Sequence, residues 1–376
     1  MKNKKGKLLA LSMACSIVML AAGCGNTTDS AVSQVEDSVV ASAESIQEST
    51  SSESETPNAE VSSSAVETEE SVAIQAESVV EEVDGFTMYY PDYMVETEGK
   101  TLRLNEKPEK IIVLSNAALQ IMIRCDVRPI AITSISMGAE YPDWVSELPV
   151  ISTGKSEVDT ESIIAMEPDL VIMGSYLQED YGTILDSAGI PVYYTSEGPS
   201  ITYNEVKAEA IALTKSFGTE QDVAETEQEF SDLETRAQEF CDSMEERDAM
   251  ILFSFPPSYQ QTSKGYLGSM LSMLPFHNLS DTLIDPDDRT APLDLEKLVE
   301  LDPEVIFAIS PAYDSAEDLE ASYAEEMQNN PAVWENLQAV KNDQVIYLSN
   351  EYVTSKGIQI IDSMNRLMDQ LEETFG

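Results

Sequence analysis

Four cations and three tyrosines hold most of the binding chemistry available to this chain. Lys155, Lys264, Arg289 and Lys356 fall in or beside loops that follow apolar runs, and Tyr176, Tyr266 and Tyr352 occupy the same kind of position. A cation gives charge-assisted hydrogen bonds, and a phenol adds a flat ring with a polar tip. Together they suit an anionic ligand or a metal chelate. The cations stand out because 69 Asp and Glu face only 21 Lys and Arg, a formal net charge of −48. Catalysis has no comparable set of groups. His277 is the single histidine, and its setting in Pro275-Phe-His-Asn278 predicts a capping or surface role after a helix end. The chain has no Gly-x-Ser-x-Gly, no Gly-rich phosphate loop and no Cys-x-x-Cys. One histidine also cannot build a multi-histidine zinc or manganese site. The expectation is a non-enzymatic protein with no catalytic residue, no metal site of its own and no cofactor.

The elements that must position these residues announce themselves through a repeated phrase. Asp159-Thr-Glu-Ser-Ile-Ile-Ala-Met-Glu-Pro-Asp-Leu-Val-Ile172 returns in register, 135 positions later, as Asp294-Leu-Glu-Lys-Leu-Val-Glu-Leu-Asp-Pro-Glu-Val-Ile-Phe307. Each copy predicts a short helix with an acidic first turn, which suits the positive end of the helix dipole. Pro168 or Pro303 stops that helix. A four-residue apolar run follows and reads as a strand covered on both faces. Further strands are expected at residues 108–115, 130–133, 150–152, 191–194, 249–255 and 345–348, with helices at 117–125, 184–188, 266–274 and 357–375. This alternation predicts an α/β fold with mostly parallel sheets. Residues 203–246 carry no strand signal. They read as one helix to 216, a break at Phe217-Gly218, and a long helix over 219–246 with apolar residues at helical spacing. The expected organisation is an N-terminal α/β lobe over 85–218, a connecting helix over 219–247 and a C-terminal α/β lobe over 248–376. In open parallel sheets, ligands bind beyond the carboxyl ends of the strands. That rule places the loops bearing Lys155, Tyr176, Lys264, Tyr266, Arg289, Tyr352 and Lys356 around a cleft between the lobes.

The N-terminal residues read as an address and a tether. Lys2, Lys4, Lys5 and Lys7 precede an apolar stretch from Leu8 to Ala22 that is short for a membrane span. Leu20-Ala-Ala-Gly-Cys24 resembles a bacterial lipoprotein lipobox. That resemblance implies a signal peptide over 1–24, cleavage before Cys24 and lipid attachment to its sulfur. Residues 25–84 contain fourteen Ser, fifteen Asp or Glu, and no Lys, Arg or aromatic residue. Such a segment cannot bury enough apolar surface to offset its chain entropy and reads as a disordered tether. As a flexible coil it spans about 40–45 Å. The remaining body carries 54 acids against 17 bases, which argues against nucleic acid and anionic lipid headgroups as partners. Cys125 and Cys241 are expected to be free thiols.

Taken together, the chain resembles the lipoprotein substrate-binding proteins of ABC importers for iron complexes, haem and cobalamin. The residues that carry the likeness are Pro108-Glu-Lys-Ile-Ile-Val-Leu-Ser115, both copies of the repeated phrase, Gly189-Ile-Pro-Val192, Pro331-Ala-Val-Trp-Glu-Asn-Leu-Gln-Ala-Val340 and Asp343-Gln-Val-Ile-Tyr347. The resemblance covers residues 100–376. It implies two Rossmann-like lobes joined by one long helix, little domain closure, and a shallow ligand cleft. It further implies a monomer, held at the membrane by its lipid, that hands a small-molecule ligand to an ABC permease with its ATPase. The ligand expected first is a ferric-siderophore-type iron chelate. Haem or a corrinoid is the alternative, with Met137 or His277 as an axial ligand. The family's two permease-docking acids align with Gln120 and Ser272 here, so no docking residue is carried over. That departure leaves open a surface sensor or adhesin that kept the fold without transport.

Overall fold

A computed structural model describes residues 85–91, 100–135, 141–152, 157–196, 201–257, 259–285, 288–354 and 356–376. It opens on a hairpin that the sequence pattern did not announce: β1 (Phe86–Tyr89) pairs antiparallel with β2 (Thr101–Leu104). The first α/β unit follows. Fully buried β3 (Ile111–Val113) leads into α1 (Asn116–Arg124), whose N-cap Ser115 hydroxyl accepts a hydrogen bond from the Ala118 amide. Then come β4 (Ala131–Thr133), β5 (Val150–Ser152), α2 (Thr160–Met166), β6 (Leu170–Gly174), α3 (Thr183–Ser187) and β7 (Val192–Thr195). The strand order is β5-β4-β3-β6-β7, and every neighbouring pair is parallel. The continuous apolar runs follow from this, because helices cover both faces of a parallel sheet.

Two helices join the halves. α4 (Tyr203–Phe217) and α5 (Glu220–Ser243) meet at Gly218. Each begins with a capping box, Thr202 with Glu205 and Thr219 with Asp222. Phe230, Leu233, Ala237 and Phe240 of α5 face the core, as their helical spacing predicts.

The second half contains β8 (Arg247–Phe253), β9 (Tyr259–Gln261), α6 (Tyr266–Leu271), β10 (Phe276–Asn278) and β11 (Thr290–Pro292). The second copy of the phrase supplies α7 (Leu295–Leu301) and β12 (Val305–Ile309). After it come α8 (Ala316–Asn329), α9 (Pro331–Trp334), α10 (Gln338–Lys341), β13 (Val345–Leu348), α11 (Glu351–Thr354) and α12 (Ile360–Phe375). The sheet order is β11-β9-β8-β12-β13, with β10 also paired to β8. β8, β10, β12 and β13 are parallel, but β9 runs antiparallel to both of its neighbours, β8 and β11. The expected parallel sheet is therefore mixed at one edge. The cause is local. After β8 the chain reverses through residues 254–257, with Ser254 in the left-handed region at φ 73°, instead of crossing over by a helix. α8 was also not foreseen, because only Leu319 and Tyr323 of this acid-rich helix are buried.

The lobes share a core. One apolar cluster joins Ile111 and Val113 of the first sheet to Ile251 and Phe307 of the second, through side chains of α1, α4, α5, α6 and α12. Separate clusters fill the outer faces of the two sheets. A continuous core of this kind resists hinge motion far better than a loop connection does. At the seam, Gly357 packs so closely on α1 that a Cβ there would lie 2.5 Å from Gln120 Oε1 and 3.1 Å from the Ala117 Cα.

Candidate binding site between the lobes

A groove of about 850 Å³ opens between α1 of the first lobe and the segment from β13 to α12 of the second. Gln120, Ile123 and Arg124 form one wall, and Ile358, Gln359, Ile361, Asp362 and Arg366 form the other. Glu229 of α5, Tyr141, Asp314, Ser349, Asn350 and Glu351 complete the lining. Both arginines are already engaged. Arg124 Nη2 lies 2.7 Å from Glu229 Oε1, and Arg366 Nη2 bonds Glu351 Oε2. Burial works against the charged form of Arg366, yet the hydrogen bond and charge of Glu351 hold its pKa above the ordinary value. Asn350 Nδ2 donates to Asp314 Oδ1 at 2.7 Å. The walls touch where the Gln359 amide donates to Gln120 Oε1 at 3.3 Å. At the rim, Tyr141 Oη donates to Asn116 Oδ1 at 3.5 Å, and Asn116 Nδ2 donates to the Ser134 carbonyl at 3.2 Å. The lining thus mixes hydrogen-bonding amides, isoleucines and four carboxylates with two neutralised arginines.

The residues expected from sequence scatter around this groove. Tyr176 stands at the end of β6 with 45 % of its surface exposed. Its ring folds over Gly174, where a Cβ would come within 2.3 Å of it. Lys356 is half-buried and immediately precedes the seam at Gly357. Tyr266 and Tyr352 are core residues, 2 % and 4 % exposed, and the Tyr352 hydroxyl donates to the Ser363 carbonyl at 3.1 Å. Burial first, and the Glu351 charge second, push both phenols well above their usual pKa. Both rings are buried outside the groove lining, which speaks against the ligand contact expected of them. Lys264 and Arg289 flank β9 and β11, where the Thr262 amide donates to the Arg289 carbonyl at 2.9 Å. The hairpin return that makes this edge antiparallel carries both cations away from the groove lining. Lys155, Met137 and Cys24 lie outside the described residues.

His277 is exposed on β10, with Nδ1 2.8 Å from Asp248 Oδ1. β10 pairs with residues 247–249, the start of β8, so His277 sits at the end of the sheet opposite the strand carboxyl ends. The surface role expected for it stands, and the axial-ligand alternative on this residue is corrected. Cys125 and Cys241 are free. Burial, then the Asp222 charge, push the Cys125 thiol up to about 11, which leaves it unreactive near neutrality. Gln120 lines the groove, while the Ser272 hydroxyl donates to the Ser269 carbonyl at 2.8 Å just past α6. Among the described residues no three His, Cys, Asp or Glu side chains gather as a metal site. No described helix is long and apolar enough to cross a membrane.

Sequence reading missed Arg124, Asp362 and Arg366 because it searched loops, and these sit on helices. Asp362 and Arg366 do carry a signal: they lie four apart on the polar face of an otherwise apolar-striped helix.

Comparison with known proteins bears on this architecture. A sequence profile of the family described as "Periplasmic binding protein" matches residues 111–352. A cobalamin-binding protein of Halobacterium salinarum is 22 % identical over 289 residues, covering 76 % of this chain and 75 % of the relative. The Fe(3+)-citrate-binding protein YfmC of Bacillus subtilis is 26 % identical over 255 residues, covering 66 % of this chain and 75 % of that protein. The solved structure of the periplasmic vitamin B12 binding protein BtuF of Vibrio cholerae superposes with a TM-score of 0.54 at 19 % identity. It covers 71 % of this chain and 98 % of that one.

Proposed function

The chain belongs to the periplasmic binding protein family, and on that premise we propose that it is the lipid-anchored, extracytoplasmic substrate-binding component of an ABC importer. Its cargo is a ferric-siderophore-type chelate, delivered to a permease with its ATPase. The observation that carries this reading is the groove of about 850 Å³ walled by both lobes. That volume suits a compact organic complex, well within the usual range for small-molecule sites, and the iron-citrate relative points the same way. Lys155, Tyr176 and Lys356 stay in the proposed contact set, joined by the groove residues Gln120, Asn350 and Gln359. Attachment through Cys24 and a monomeric state are part of the same proposal. The Halobacterium relative supports a second reading, a corrinoid cargo.

Native mass spectrometry of protein purified from its own cells weighs any retained ligand directly. Tryptophan quenching against ferric siderophores, haem and cobalamin then ranks the classes. The expected result is one-to-one binding of a ferric chelate; silence across the whole panel overturns the proposal. A Cys24→Ala variant should shift the protein from the membrane fraction to the medium. Retention on the membrane would remove the anchor.

A further inference from the structure

The charge of the groove points to a narrower cargo class than the family does. Its lining holds four carboxylates, Glu229, Asp314, Glu351 and Asp362, against two arginines, Arg124 and Arg366. Each arginine is paired to one of those carboxylates. The remaining two acids, Asp314 and Asp362, are exposed at the groove, Asp314 accepting from Asn350 Nδ2 and Asp362 sharing the field of Arg366, so the lining keeps two carboxylates in excess of its two arginines. Lys356 stands beside the groove, outside its lining. The body as a whole, groove included, carries 54 acids against 17 bases. A cleft lined by one sign of charge between low-dielectric walls focuses the field, concentrating ligands of the opposite sign and repelling those of the same sign. Haem propionates or a polycarboxylate chelate would meet Asp314 and Asp362 directly.

We propose that the groove selects a net-cationic chelate, one that places an ammonium or similar amine donor between Asp314 and Asp362 while its uncharged bulk rests on Ile123, Ile358 and Ile361. The chelate itself shields its metal, and the amide side chains of Gln120 and Gln359 meet its polar edge. This inference rests on the reading of the groove as the ligand site.

A matched series separates the two readings. One ferric trihydroxamate core is prepared with a free ammonium arm, with that arm acetylated to neutrality, and with it succinylated to an anion. Isothermal titration should rank them ammonium, then acetyl, then succinyl, with about tenfold between the first two, the size of one partly screened charge contact. Raising the salt should weaken the ammonium form most. Asp314→Asn combined with Asp362→Asn should collapse the ranking while circular dichroism and the thermal midpoint stay near wild type. Equal or reversed affinities across the series overturn the charge inference and leave the chelate reading standing. Failure of every member to bind, together with binding of cobalamin or haem, overturns both.

Discussion

The two copies of the repeated phrase build the same helix and strand and end that helix in the same way, but they differ in what secures them. α2 and α7 are both seven residues long, capped by Asp159 and Asp294, and they end at left-handed residues with nearly equal φ, Glu167 at 47° and Asp302 at 45°. β6 and β12 are both five residues and fully buried. The acid after each proline has one job in both lobes. Asp169 Oδ2 accepts from the Glu109 and Lys110 amides at the start of β3, and Glu304 Oε2 accepts from the Asp248 amide at the start of β8. The adjoining backbone bonds match too, since the amides of Asp169 and Glu304 donate to the carbonyls of Lys110 and Asp248, each at 2.9 Å. This gives the acidic position after each proline a structural role. The helix ends differ. Lys110 Nζ caps the first copy through the Met166 and Glu167 carbonyls, whereas Gln338 closes the second on Asp302. A repeated sequence therefore preserves the strand-locking contact and lets each lobe close its helix with whatever lies nearby.

Core truncation gives the largest test of that equivalence. Ile163→Ala and Leu298→Ala remove fully buried side chains at matched positions. Each should lower stability by about 2–5 kcal/mol in urea unfolding, and losses that differ by more than the scatter of such sites would break the equivalence. A smaller effect separates the copies. Glu167→Gly relieves a left-handed residue and should stabilise by about 1 kcal/mol. Asp302→Gly gains the same relief but loses the hydrogen bond from the Gln338 amide to Oδ1, so it should be destabilising on balance. Equal responses would show that the asymmetric closure carries no weight. The smallest effect is a pH dependence. The Lys110 and Glu109 amides hold the Asp169 carboxyl below its usual range. The unfolded chain therefore takes up this proton first as pH falls. The stabilisation is complete above the ordinary carboxylate pKa and fades as pH drops through the folded value. Asp169→Asn should flatten that part of the urea-midpoint profile between about pH 5 and 2. An unchanged profile would remove Asp169 as a strand lock.

Much of the scaffold was legible because its signals are local. The parallel strands are short apolar runs bounded by Gly, Pro or charge, and the long helix keeps its apolar spacing through four buried positions, Phe230, Leu233, Ala237 and Phe240. The hairpin of β1 and β2, the antiparallel edge and β10 were not legible. Those strands are three or four residues long, too short for a period to show, and unlike the equally short β3, β4 and β5 they mix polar with apolar residues instead of extending an apolar run. The site was read less well for a related reason. Searching strand-end loops assumes every strand is parallel, and the return at Ser254 moves Lys264 and Arg289 to a sheet edge while Tyr266 and Tyr352 turn into the core.

By itself, then, the sequence determined what repeats and what is periodic: two α/β lobes, the helices between them, the acidic body, and the proline-ended helices that feed the central strands. These follow from propensities and hydrophobic period, which act over a few residues. Tertiary structure alone decided which charges meet. Arg124 finds Glu229 across 105 positions and Gln359 finds Gln120 across 239, distances over which no local pattern operates. A groove's charge is set by such encounters between elements, so it emerges only when the lobes pack.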